Sequence, residues 1–323
     1  MTAICIPNDY PVELTPPDIS SYRQGNTGVD YVHRLDGEAP GPHVGITAIV
    51  HGNEPCGAIA LDWLLRHDVR PARGTLSLIF VNTEAYARFD PTDPNASRWV
   101  DEDLNRVWAP ATLNGPGDSV ELERARRLRP IIDEIDLLLD IHSMQHPTQP
   151  LMLAGPLPKG RALARATGVP AVVVSDAGHS AGRRMRDYGG FSDPDSAKNA
   201  LLVECGQHWE ADAGALAIET ALRFLVATGS VDADCGAAFL ATRPLPQPQR
   251  FLEVTEAVTI KTDRFAFTEP YRGLECIAEA GTVIAMDGTE PVRTPHDDCI
   301  LIMPSKRLWP GQTAVRLARR IED

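Results

Sequence analysis

His51-Gly52-Asn53-Glu54 sets an imidazole and a carboxylate on either side of two residues, across a glycine-containing turn. Both side chains can therefore face one metal ion. Asp140-Ile141-His142 closes a leucine-rich run and offers a further imidazole. Asp140 shares a strand face with His142, because side chains repeat every two residues along a strand. It is placed to orient a ligating imidazole, as histidines at metal sites require. Each half alone reads more readily as ordinary structure, an accidental His–Glu spacing or a satisfied core histidine. Together, His51, Glu54 and His142 make the three-ligand set of catalytic zinc, one ion per chain, with a fourth position open to water. Two imidazoles and one carboxylate suit zinc better than magnesium or calcium, which prefer all-oxygen shells.

Two more segments carry chemistry. Leu201-Leu202-Val203-Glu204-Cys205-Gly206 ends an apolar strand on a carboxylate. Glu204 reads either as a solvated strand end or as a general base that takes a proton from an attacking water. Arg98-Trp99-Val100-Asp101-Glu102-Asp103-Leu104-Asn105-Arg106 lies in a long stretch without regular pattern. Its guanidinium forks can grip carboxylates or stabilise an oxyanion, or form surface ion pairs.

The elements that must hold these residues alternate in type. Strands are expected over 44–50, 76–82, 137–142, 171–175 and 199–204, each apolar nearly throughout. Helical spacing runs over 58–66, 121–132, 160–167 and 211–227. Such alternation predicts an α/β fold, a mostly parallel mixed sheet flanked by helices. All four motifs then fall at strand ends or in a long loop, where open α/β sheets place their sites. A proline-rich linker, Arg243-Pro244-Leu245-Pro246-Gln247-Pro248-Gln249, is followed by short β runs over 251–261, 274–278, 282–286 and 299–303. The expected division is an α/β domain over 1–240 and a small all-β domain over 241–323, capping or flanking the site.

Composition narrows the partners. Across 323 residues the chain is 43% hydrophobic and 23% charged, ordinary for a globular protein. Its net charge of −13 argues against a nucleic-acid partner. No apolar run is long enough to span a membrane, and the first nine residues lack the pattern of a secretion signal, so a cytoplasmic protein is expected. Cys5, Cys56, Cys205, Cys235, Cys276 and Cys299 form no CxxC pair and read as free thiols. Cys56 and Cys205 lie inside motifs but read as packing residues. Self-association into a homo-oligomer is left open.

HGNE, RWVDEDLNR, DIH and VECG, in this order, resemble the succinylglutamate desuccinylase/aspartoacylase family, a branch of the zinc-carboxypeptidase-like fold. The resemblance implies a zinc-dependent amidohydrolase that removes the acyl group from a small N-acyl amino acid. It implies zinc ligands at His51, Glu54 and His142, and a catalytic glutamate at Glu204. By the same resemblance Arg98 polarises the scissile carbonyl, and Asn105 with Arg106 holds the α-carboxylate of the amino acid. The chain departs from the family at one point. Members specific for acidic amino acids carry a further arginine shortly before the catalytic glutamate, whereas the nearest here, Arg184 and Arg186, lie further upstream. They are the candidates for a side-chain contact, and the identity of that side chain is not implied. Two rival readings share the residues, a zinc carboxypeptidase acting on short peptides and a catalytically inactive small-molecule binding protein. No GxGxxG supports a dinucleotide enzyme.

Overall fold

A computed structural model describes residues 10–178 and 181–322. Cys5 and the first nine residues, where a secretion signal was sought, lie outside the described residues. The strands, in chain order, are β1 Val32–Asp36, β2 Ala39–Ala48, β3 Arg73–Phe80, β4 Leu137–Met144, β5 Leu151–Leu153, β6 Val172–Ser175 and β7 Asn199–Gln207. There follow β8 Arg250–Thr259, β9 Phe265–Phe267, β10 Cys276–Ile277, β11 Val283–Asp287, β12 Glu290–Arg293, β13 Cys299–Ile302 and β14 Thr313–Ile321.

An 11-stranded sheet runs in the order β1-β3-β2-β4-β7-β5-β6-β8-β14-β13-β10. The pairs β3/β2, β2/β4, β4/β7, β5/β6 and β6/β8 are parallel, and the outer pairs and β7/β5 are antiparallel. A separate 3-stranded antiparallel sheet, β12-β11-β9, belongs to the C-terminal part. The mostly parallel mixed sheet with a smaller β portion after it is thus the observed architecture. The C-terminal strands also extend the large sheet, because β8 pairs in parallel with β6.

Two-sided burial follows from the sequence. Leu139 and Ile141 of β4 and Leu201 and Val203 of β7 pack with helices Pro55–Arg66 and Ala211–Ala227 on one face. Leu138 and Ala200 pack with helix Val120–Glu134 on the other. Each fully buried Leu or Ile side chain contributes about 1.5–3 kcal/mol. The helix expected from residue 58 begins at Pro55, where a missing N–H costs nothing. The strand expected to reach Val50 ends at Ala48, and Ile49 turns the chain with φ of 53°. Strands β1, β5, β9, β12 and β14 were not foreseen. Among the described residues no helix is long and apolar enough to cross a membrane.

Candidate active site

Neighbouring parallel strands β2, β4 and β7 bring three of the four motifs together at their carboxyl ends. Along β4, Asp140 and His142 alternate with Leu139 and Ile141 and so face away from the helix pair. In the parallel register His142 lies directly beside Glu204 of β7. The chain leaving β2 turns through His51 and Gly52 and places Glu54 immediately before the first turn of helix Pro55–Arg66. A helix N-terminus favours a carboxylate. Gly52 N–H donates to Arg98 O at 3.0 Å. A Cβ on Gly52 would collide with Ser97 O and with the Ala85 backbone. The metal-type turn is therefore packed against the arginine loop.

His51, Glu54 and His142 are all buried, and one candidate ligand atom from each lies within 4.8 Å of the others. His51 Nδ1 is 2.8 Å from Glu54 Oε1, and His142 Nδ1 is 3.0 Å from Glu54 Oε2. The outer ring nitrogens face other carboxylates, His142 Nε2 to Asp140 Oδ2 at 3.0 Å and His51 Nε2 to Asp103 Oδ1 at 2.9 Å. Thr47 Oγ1 donates to the second Asp140 oxygen at 2.7 Å. Both rings thus turn Nδ1 toward the Glu54 carboxylate, whose two oxygens each meet one ring. Burial alone would lower the His142 pKa, but Asp140 and Glu54 outweigh it and hold it well above the usual imidazole range. Burial would likewise raise Glu54, yet His51 and His142 hold it well below the usual carboxylate range. This buried set favours a cation at its centre, and its donors are those of a zinc site with imidazoles oriented by carboxylates.

Around this set lies a cavity of about 300 Å³, lined also by Arg98, Asn105, Arg106, Glu204 and His208 and by residues of the C-terminal segment. Arg98 Nη1 donates to Glu54 Oε1 at 3.1 Å, and its Nη2 lies 2.9 Å from His51 Nε2. The loop that carries Arg98 is fixed from beneath by a buried carboxylate. Glu121 accepts backbone N–H groups from Val100 at 2.6 Å, Asp101 at 3.0 Å and Glu102 at 3.2 Å. Asp103 caps the turn Leu104–Arg106 by accepting Asn105 N–H at 2.9 Å. Asn105 Oδ1 in turn accepts Met185 N–H at 3.1 Å, which orients the amide.

Glu204 is buried, and its Oε2 has no hydrogen-bond partner among the described residues. Burial pushes its carboxyl up to about 8, against the opposing pull of His142. An unpartnered carboxylate oxygen on the wall of a polar cavity is a group in wait of a proton or a ligand.

The two arginines upstream of Glu204 are differently placed. Arg184 lines the cavity, but its guanidinium is committed to Asp176 through Nη1 and Nη2, each at 2.9 Å, and to Asp187 through Nε at 2.5 Å. Arg186 is absent from the lining. It donates to Asp187 Oδ1 at 2.6 Å and to the carbonyls of Ala154 and Ala200, both at 2.8 Å. Burial would raise the Asp187 carboxyl, but these two guanidiniums hold it down to about 2.

Sequence reading missed Asp103, Glu121, His208, Arg307 and Arg316. Asp103 stands 52 residues from the imidazole it meets, so no spacing rule connects them. His208 follows the VECG motif closely, and its Nδ1 lies 2.9 Å from Ser143 Oγ. Burial lowers its pKa to about 3. Arg307 and Arg316 stand outside every motif.

A sequence model of the succinylglutamate desuccinylase/aspartoacylase catalytic domain matches residues 40–228. A protein described as a probable aspartoacylase, from Parasynechococcus marenigrum, is 41% identical over 80 residues, which is 24% of this chain and 24% of that protein. Solved structures share the fold. A succinylglutamate desuccinylase from Vibrio parahaemolyticus aligns with TM-score 0.67 and 17% identity over 91% of this chain and 87% of its own. A succinylglutamate desuccinylase/aspartoacylase from Rhodobacter sphaeroides aligns with TM-score 0.60 and 19% identity, over 90% and 89%.

Proposed function

The chain belongs to the succinylglutamate desuccinylase/aspartoacylase family, and from that premise we propose that it is a zinc-dependent amidohydrolase releasing the acyl group from a small N-acyl amino acid. The observation that carries this reading is the meeting of His51, Glu54 and His142 at one point of a small cavity that Glu204 and Arg98 also line. A bound zinc ion would supply Lewis acidity, lowering the pKa of a water and polarising the acyl carbonyl. His51 Nδ1, the Glu54 carboxylate and His142 Nδ1 would hold it. Glu204 takes the proton of the attacking water as oxygen bonds to the acyl carbon, then delivers a proton to the amine nitrogen as the C–N bond breaks. Arg98 is the donor for the oxygen that becomes negative. Asn105 and Arg106 hold the α-carboxylate, so the scissile amide is set beside Glu204. The products are a free carboxylate and a free amino acid.

The cavity volume supports a small substrate over a peptide, since about 300 Å³ is the lower end of small-molecule sites. Residues 241–323 act as the cap, for Met303, Ser305, Arg307 and Arg316 line the same cavity as the metal set. Screening the zinc-loaded protein against N-acetyl and N-succinyl amino acids tests the proposal. Turnover of at least one is expected. Hydrolysis of short peptides in preference to every N-acyl amino acid would replace it with the exopeptidase reading.

Two site variants refine the proposal. Asp103→Asn keeps the shape but weakens the hold on His51. Zinc affinity, measured by chelator competition, should fall about 10- to 100-fold. An unchanged affinity would remove Asp103 from that role. Arg106→Lys keeps the charge but loses the fork, so KM should rise and kcat should fall. Methyl esterification of the substrate carboxylate should harm the wild type and barely affect the variant. Equal harm to both would place the carboxylate elsewhere.

A further inference from the structure

The arginine loop gives tasks to Arg98, Asn105 and Arg106 and leaves Trp99 without one. Trp99 is half-buried and lines the cavity. The backbone on either side of it is pinned. Arg98 O accepts Gly52 N–H at 3.0 Å, and Val100 N–H donates to buried Glu121 at 2.6 Å. The indole is therefore carried on a backbone that cannot shift to follow its neighbours.

Two guanidiniums from distant parts of the chain meet that ring. Arg98 lies 5.4 Å from the ring centroid and Arg307 5.6 Å. Both fall within the roughly 6 Å over which an aromatic face attracts a cation, and indole attracts best. Arg307 depends on the ring more. Arg98 also has Glu54 at 3.1 Å and Asp103 at 3.4 Å. Arg307 is 8% exposed, yet among the described residues no carboxylate lies within 4 Å of its guanidinium. Burial lowers its pKa and repulsion from Arg98 adds to that, while Asp103 and Glu54 oppose the shift from further off. Like charges held out of water repel strongly. The electron-rich face that both cations share offsets part of that repulsion.

Arg307 also belongs to the other half of the site. It stands on the connection between β13 and β14, whose Met303, Ser305, Trp309 and Gln312 line the cavity with it. One tie from this connection to the α/β part is Lys306 N–H, which donates to Gln145 Oε1 at 2.8 Å. The contact of Arg307 with Trp99 is a second tie, and it ends on the residue next to Arg98.

We infer that Trp99 is a positioning residue: its ring holds the Arg98 and Arg307 guanidiniums together and so latches the 303–312 connection onto the arginine loop. Arg98 is thereby kept aligned for the acyl oxygen. That consequence rests on the deacylase reading, whereas the latch does not.

Fluorinated tryptophans installed at position 99 alone separate charge from packing. Mono-, di-, tri- and tetrafluorotryptophan fill nearly the same space, while each fluorine drains negative charge from the ring face. The zinc-loaded protein without substrate gives the first readout. Amide hydrogen exchange over 303–312 and phenylglyoxal labelling of Arg307, both followed by mass spectrometry, should rise stepwise along the series. Trp99→Leu should raise both about 5- to 30-fold, the range of a desolvated cation–π contact, and Trp99→Phe should restore part of the protection. A flat fluorine series would reduce Trp99 to packing and overturn the inference. So would unchanged Arg307 labelling in Trp99→Leu. Turnover of whichever N-acetyl or N-succinyl amino acid the enzyme accepts gives the second readout. Its kcat should fall along the same series, and a constant kcat would overturn the hold on Arg98. A stepwise rise in labelling with no turnover of any N-acyl amino acid would keep the latch and sink the deacylase reading. Turnover with a flat series would do the reverse.

Discussion

Glu204→Gln is expected to retain a full complement of zinc while kcat falls by about 10²–10⁴-fold, the contribution of a positioned acid–base group. An amine cannot leave a carbonyl carbon as its anion, so amide hydrolysis needs a group that accepts a proton and then gives one back. Glu204 is suited to both steps. It lies beside His142 in the β4/β7 register, lines the cavity, and has an oxygen without a partner among the described residues. Glutamine fills the same space but cannot accept the proton, so substrate should still bind. Kinetics and elemental analysis on one preparation check both halves. Near-normal turnover, or loss of zinc, would give Glu204 another role.

The second large effect is expected at His142. Alanine there removes one of the two imidazoles that meet Glu54 at hydrogen-bond distance and leaves Asp140 buried without the ring it meets at 3.0 Å. Zinc should no longer be retained through gel filtration, and hydrolysis should drop to background, because two protein ligands are too few for a catalytic zinc site. Metal-free wild type should be equally inactive and should recover on zinc addition, whereas the variant should not. A thermal unfolding midpoint for each protein separates metal loss from collapse. Stoichiometric zinc in His142→Ala would overturn the ligand assignment.

Local pattern made part of this site legible. His51 with Glu54, and Asp140 with His142, are each close in the chain, and apolar strands ending on polar residues told where they would emerge. The contacts that complete the site are non-local. Glu121 reads as one more acidic residue in a helix rich in charge, yet it is buried and holds three successive backbone amides of the arginine loop. Nothing in its neighbours signals that. β14 was missed for a related reason. Its sequence, TAVRLARRI, mixes arginines into an apolar run, and only the tertiary fold shows Arg316 turned inward while Arg319 and Arg320 face solvent. The 3-residue β5 is too short for periodicity to reveal, and it exists because β7 and β6 flank it.

The pairing of β8 with β6 bears on any attempt to shorten the protein. Cutting the chain before Arg250 would leave the whole metal set in place but strip β6 of the neighbour that meets Val172 to Ser175. A bare, apolar parallel edge recruits strands from other molecules. The truncated fragment would precipitate rather than survive as a minimal catalyst, and refolding yield would track how well β8 finds its place.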